Sequence, residues 1–124
     1  MPSPVQFRLR ILHDDLIAIG PGKVALLEAV AETGSISAAA RQFGMSYRRA
    51  WLLIDEMNKA LVEPVVATAT GGAHGGGARL TDTGRKVITH YRAVESTARI
   101  AAADDLAALT RLLARRPTSP DAPD

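Results

Sequence analysis

The 124 residues contain no cysteine. Disulfide frameworks, thiolate nucleophiles and every cysteine-ligated zinc or iron-sulfur centre are thereby excluded from them, a composition that fits a reducing compartment. Long apolar runs are missing too. No stretch approaches the roughly 20 apolar residues that a membrane-crossing helix needs, and MPSPVQFRLR has no apolar core of signal-peptide length ahead of its arginines. A cytoplasmic protein with no membrane partner is expected. The three histidines, His13, His74 and His90, are isolated, and neither an H-E-x-x-H pair nor a nucleophile elbow occurs. The acidic pairs Asp14-Asp15, Asp55-Glu56 and Asp104-Asp105 fall at a turn, on a polar helix face and near a helix boundary, where carboxylates are usually structural. The expectation is a protein without metal, cofactor or enzymatic site.

What remains is the composition of one soluble domain with a modest core, 47% hydrophobic and 23% charged. A formal net charge of +2 is too small by itself to announce a nucleic-acid binder. Its distribution is more informative. Residues 1–40 hold three basic and four acidic side chains, whereas residues 41–92 hold eight basic and four acidic ones. The basic part of the chain is its middle, which is either an ordinary solvated surface or a binding face.

Hydrophobic spacing divides the chain. Val5, Phe7, Leu9 and Ile11 alternate with mostly polar neighbours, and Leu16–Ile19 is a second apolar run, which predicts an amino-terminal β-hairpin over 5–19. Gly20-Pro21-Gly22 reads as a break, followed by a first helix of about three turns on Val24, Leu27 and Ala31, with Leu26 and Val30, up to Gly34. Ser35 and Ser37 are both candidate caps for a short second helix that Gly44 ends, since glycine tolerates a left-handed conformation. Ser46 can cap a third helix on Ala50, Leu53, Ile54, Met57 and Leu61, stopped by Pro64. Strand-like PVVATAT, glycine-rich GGAHGGG and ARL then form a wing over 64–80. Thr81 or Asp82 caps a long helix with Val87, Ile88, Tyr91, Val94, Ala98 and Ala101 on one side. At Asp104-Asp105 either this helix bends or a new one begins with Asp104 as its cap. Residues 117–124 read as a disordered tail. The expected fold is mostly α with a little β, a winged helix-turn-helix over 1–81 followed by a helical dimerisation segment over 82–116.

The functional signal lies in residues 35–61. Two helices joined by a glycine turn, the second basic at its start, make the pattern of a DNA-reading helix-turn-helix. Such a motif needs a small residue at the helix contact, here Ala40, a glycine four residues later, here Gly44, and apolar flanks, here Ala39, Phe43, Met45, Ala50 and Leu53. The free face of the third helix opens with Ser46, Tyr47, Arg48 and Arg49. Arginine donates two hydrogen bonds to the O6/N7 edge of guanine, while hydroxyls and the helix amino terminus suit phosphate oxygens. Arg48 or Arg49 is therefore the expected base reader. Trp51, one turn beyond Tyr47, joins the candidate face, although a lone tryptophan in a small domain is commonly a core residue with one wet edge.

The glycine-rich loop fails both nucleotide motifs: no Gly-Lys-Ser/Thr follows, no G-x-G-x-x-G aligns, and the segment after it is strand-like instead of helical. A wing tip accounts for it better. Gly72 allows close approach to phosphate or minor groove, and His74 and Arg79 can supply contacts.

GSISAAARQFGMSYRRAWLLIDEMN followed by TATGGAHGGGARLTDTG resembles the amino-terminal DNA-binding domain of ModE-type molybdate-responsive regulators, and in broader outline the helix-turn-helix of LysR-type regulators. G-S-I-S, S-Y-R-R-A-W, E-M-N and the glycine-rich wing before L-T-x-x-G carry the resemblance, which runs from about Phe7 into the long carboxy-terminal helix. It implies a winged helix-turn-helix homodimer bound to a palindromic operator on double-stranded DNA, in gene regulation linked to molybdate or another oxyanion. It places Ser35, Ser37, Ser46, Tyr47, Arg48, Arg49 and Trp51 on the DNA-facing surface and the segment with Gly72, His74 and Arg79 in the wing. The amino-terminal hairpin, with Phe7 and Leu9, and the long helix, with Val87, Tyr91, Val94, Ala98 and Ala101, are implied in the subunit interface. The family's molybdate-binding domains follow that helix, and no counterpart is expected within these residues, which leaves open a separate effector-sensing partner. The competing reading from another class is a dimeric winged-helix adaptor that binds a protein instead of DNA.

Overall fold

A computed structural model describes residues 5–69 and 77–114 of the chain. Strands β1 (Ile11–His13) and β2 (Leu16–Ile19) form an antiparallel hairpin. Its two-residue loop is Asp14-Asp15, both at positive φ (51° and 72°). A tight hairpin demands this pair of left-handed residues because their twist matches that of the strands, and aspartate is among the few side chains that tolerate it. The ladder is shorter than the alternation predicts. Residues 5–10 lie outside any strand; their alternation comes from an extended segment laid along a helix, described below.

Helix α1 (Pro21–Thr33) begins at Pro21 itself, with Gly20 as N-cap, so Gly20-Pro21 opens the helix instead of breaking the chain ahead of it. Proline fits there because its missing N–H is one that the first turn leaves unpaired anyway. The helix ends on Gly34 at φ 71°, whose N–H donates to the Val30 carbonyl. Val24, Leu26, Leu27 and Val30 are completely buried. A helix enclosed on so many sides is a central element, and the next three helices and the last strand all pack against it.

Helix α2 (Ile36–Gln42) is capped by the Ser35 hydroxyl, which accepts from the Ala38 N–H at 3.0 Å. Ser37 is inside the helix and exposed, so Ser35 alone is the cap. Helix α3 (Tyr47–Ala60) is capped by the Ser46 hydroxyl, which accepts from the Arg49 N–H at 3.1 Å. It ends at Ala60, one turn before Pro64. Strands β3 (Val66–Ala69) and β4 (Gly77–Leu80) pair antiparallel from Val66↔Leu80 to Ala69↔Gly77. Gly72 and His74 lie outside the described residues, as does the segment read as a disordered tail.

Thr81 caps helix α4 (Asp82–Ala101), its hydroxyl accepting from the Gly84 N–H. The chain turns at Ala102 into α5 (Ala103–Leu112). Asp104 is not a cap: it lies with Asp105 in the first turn of α5, and no side chain caps that helix. Two carboxylates in a first turn still oppose the helix dipole favourably.

Tyr91 fastens α4 to the amino-terminal segment. It is 2% exposed, and its hydroxyl donates to the Leu9 carbonyl at 2.7 Å. Phe7 lies beneath the Arg99 guanidinium, 6.0 Å from ring centroid to Cζ. Tyr91 is thus buried and hydrogen-bonded within the chain. Burial, and then the Glu95 carboxylate, push its phenol above its ordinary value of 10.0. The folded state therefore holds this proton more tightly than the unfolded chain does. The associated stability is fully present below pH 10 and is lost as pH rises through the higher folded-state value. Tyr91→Phe is expected to cost about 1 kcal/mol at neutral pH through the lost hydrogen bond and to flatten the alkaline part of the stability profile. Urea unfolding from pH 7 to 11 checks both.

Candidate nucleic-acid interface

The turn between α2 and α3 is set by hydrogen bonds that follow from sequence. Gly44, at φ 64°, donates to the Arg41 carbonyl at 3.2 Å, and Met45 donates to the Ala40 carbonyl at 3.1 Å. A six-to-one bond around a left-handed glycine is the Schellman arrangement, which satisfies carbonyls a helix end would otherwise leave unpaired. Ala40 is 2% exposed and Ala39 fully buried, so α2 and α3 meet through methyl groups. Phe43, one of the apolar flanks, is 45% exposed.

Ala50, Ile54 and Met57 are the buried residues of α3. With about 100° between successive residues, the side opposite them carries Arg48, Leu52, Asp55 and Lys59. Tyr47 and Trp51 lie on one flank, and Arg49, Leu53, Glu56 and Ala60 on the other. Arg48 and Arg49, equivalent in sequence, thus face different ways: Arg48 is at the centre of the outward surface, and Arg49 borders the hairpin. Tyr47 is 53% and Trp51 43% exposed, so Trp51 belongs to this surface instead of the core.

Ion pairing separates structural from available charge. Lys59 pairs with Asp55 at 2.9 Å, Lys23 with Glu56 at 3.1 Å, Arg85 with Asp82, and Arg92 with Glu28 and Glu95, both at 2.8 Å. The hydrogen bond to Glu28 leads the effects that hold the Arg92 guanidinium above its ordinary value. Arg41, Arg48, Arg49 and Arg79 have no acidic partner within ion-pair distance among the described residues. Arg79 is exposed on β4 while its neighbours Ala78 and Leu80 are buried, as strand alternation requires. Ser35 and Ser46 spend a hydroxyl lone pair on their helix caps but stay at the helix amino termini, and Ser37 is exposed.

The wing is fixed to this surface at its roots. The Asn58 side chain, one turn past Ile54, accepts from the Val65 N–H at 2.7 Å. Thr81 donates its hydroxyl to the Pro64 carbonyl at 2.7 Å and its N–H to the Val65 carbonyl at 3.0 Å. Ala78 donates to the Gly34 carbonyl at 3.0 Å. Gly84 packs so closely on Val65 that a Cβ there would lie 2.3 Å from the Val65 carbonyl oxygen. Asn58, Val65 and Gly84 are positioning residues that spacing alone does not disclose, although E-M-N and L-T-x-x-G are the segments that contain two of them.

Of the residues implied at a subunit interface, Phe7, Leu9 and Val87 are partly buried within the chain, Val94 is 49% exposed, and Ala98 and Ala101 lie farther along α4. Exposed apolar side chains continue past them through Ile100, Leu109, Leu112 and Leu113.

Capped helix pair, Schellman turn and rooted two-stranded wing together define a winged helix-turn-helix. The chain belongs to the bacterial regulatory helix-turn-helix proteins of the lysR family, which it matches over residues 22–85. It is 53% identical over 78 residues to molybdenum-pterin-binding protein MopB of Rhodobacter capsulatus, covering 63% of this chain and 29% of that one. It is 45% identical over 88 residues to molybdenum transport protein ModE of Azotobacter vinelandii, covering 71% and 33%. Over 71 residues it is 45% identical to the DNA-binding transcriptional dual regulator ModE of Escherichia coli strain K12, covering 57% and 27%. The chain therefore spans a third or less of the length of these relatives. Among solved structures, the CbnR_DBD-DNA complex superposes with a TM-score of 0.54 at 20% identity, covering 71% of this chain and 95% of that one. The likeness at that identity is one of fold.

Proposed function

We propose that this chain is the DNA-reading part of a transcriptional regulator, with α3 in the major groove and Arg48 as its base reader. The observation that carries the reading is the group of arginines Arg41, Arg48, Arg49 and Arg79 on the helix-turn-helix and wing, none with an acidic partner among the described residues, whereas the nearby Lys23, Lys59 and Arg85 are each held by a carboxylate. An adaptor has no physical need for cations left free at a recognition-helix start. Arg48, at the centre of the outward side of α3, would meet a guanine edge; Ser37, Tyr47 and the α2 and α3 amino termini suit flanking phosphates. Trp51 adds apolar contact beside Tyr47. None of this surface offers an acid–base pair, and the proposed role is non-enzymatic.

The relatives whose names refer to molybdenum support a place in molybdate-linked gene regulation, and a palindromic operator follows if two copies bind. The exposed apolar side chains of α4 and α5 favour a homodimer. Val94→Glu is expected to convert a dimer to a monomer in multi-angle light scattering; a monomeric wild type overturns that part.

The test of function is fluorescence anisotropy against selected and random duplexes over a salt series. Binding a selected sequence about 10³-fold tighter than a random one, with a steep salt slope, is the expected result. No selection, with little salt dependence, returns the adaptor.

A further inference from the structure

A groove of about 560 Å³ runs between the hairpin and α3. Leu16, Ile17, Phe43, Met45, Leu53 and Ala60 give it apolar walls, and Arg8, Arg10, Lys23 and Arg49 bring four cations to it against two carboxylates, Asp15 and Glu56. Glu56 is already neutralised by Lys23, which also donates to the Ile17 carbonyl. Arg8, Arg10 and Arg49 have no ion-pair partner among the described residues. The stem of Arg10 runs beside Gly20, whose Cβ position lies 3.6 Å from Arg10 Cγ, an ordinary contact distance.

Size, apolar lining and a few convergent charges are the properties of a small-molecule site. A DNA phosphate needs the cations but has no use for the apolar walls, and an uncharged apolar ligand would leave the lining's excess of positive charge uncompensated. We propose that the groove binds a small amphipathic anion, a carboxylate or phosphate on an apolar body, with the body against Leu16, Ile17, Phe43 and Leu53 and the anionic head between Arg8, Arg10 and Arg49. Arg49 stands in the first turn of the recognition helix, so on the DNA-binding reading above, a ligand that draws this guanidinium into the groove weakens DNA binding, and DNA weakens the ligand by the same factor.

The test is titration of the ¹⁵N-labelled chain with octanoate as probe, without DNA, with octanol and inorganic phosphate as controls. Saturable shifts confined to residues 8–10, 16–23, 43–45 and 49–60 are expected, with both controls at least tenfold weaker and Arg10→Gln or Arg8→Gln lowering octanoate affinity at least fivefold without changing octanol. Octanol equal to octanoate, phosphate equal to octanoate, or shifts spread over α4 and α5 would each overturn the site. Saturating octanoate is then expected to lower DNA affinity at least threefold in the wild type and not in Arg10→Gln; an unchanged affinity sinks the coupling. A chain that binds octanoate and no DNA sinks the DNA reading and leaves the groove standing.

Discussion

Gly84→Ala is expected to destabilise the fold by about 3 kcal/mol, because overpacking against backbone leaves no side chain free to move aside. The added methyl would lie 2.3 Å from the Val65 carbonyl oxygen, 3.2 Å from its carbon and 3.4 Å from its Cα. Val65 is completely buried and its N–H and carbonyl are both engaged, by Asn58 and Thr81. Relief requires α4 to withdraw from the wing root or the Asn58 and Thr81 bonds to stretch. Gly22→Ala is the control. That glycine is also in a helix, but nothing lies within 4 Å of its Cβ position, so alanine there should stabilise by about 0.5 to 1 kcal/mol through helix propensity and a less flexible unfolded chain. Urea denaturation of both variants decides the matter: equal midpoints would show that the contact with Val65 is not a constraint.

Arg48→Ala is expected to have the largest effect on recognition. Loss of a bidentate guanine contact costs about 1 to 3 kcal/mol at one base-pair position, equivalent to about 5- to 150-fold in affinity. Sequences already lacking the preferred base there should be affected far less. Arg79→Ala, on the exposed edge of β4, should weaken all sequences alike and reduce the salt slope by about one, as a phosphate contact does. Anisotropy with the preferred duplex and its single-position variants separates the two. Uniform loss in Arg48→Ala would remove its role as base reader and direct attention to Tyr47 and Trp51.

The helix-turn-helix was legible in the sequence because its determinants are local. Ser35, Gly44 and Ser46 each act on backbone within a few residues of themselves, and residue type is enough to suggest a cap or a left-handed turn. Longer-range contacts were not legible. Asn58 acts on Val65, Gly84 makes way for Val65, and Tyr91 reaches Leu9; each needs two segments whose approach no periodicity encodes. The strand reading of residues 5–10 failed for the same reason, since alternation is also what an extended segment shows when one side rests on a helix. Asp104 misled because aspartate favours a first turn almost as much as a cap. Arg48 and Arg49 were indistinguishable as letters, and the helical rotation between them assigned one to the outward face and the other to the groove.

The Asn58 and Thr81 bonds to Pro64 and Val65, just ahead of β3, and the bond from Ala78 of β4 to the Gly34 carbonyl anchor the base of the wing to α1, α3 and the start of α4. On the DNA-binding reading, once α3 is docked Arg79 on β4 would meet a phosphate as part of the same molecule, at an effective concentration set by its short tether to α3, so that its contact need only be weak. Loosening a root, by Asn58→Ala for instance, would dilute that tether and raise the dissociation rate from every sequence alike without removing a single contact to a base.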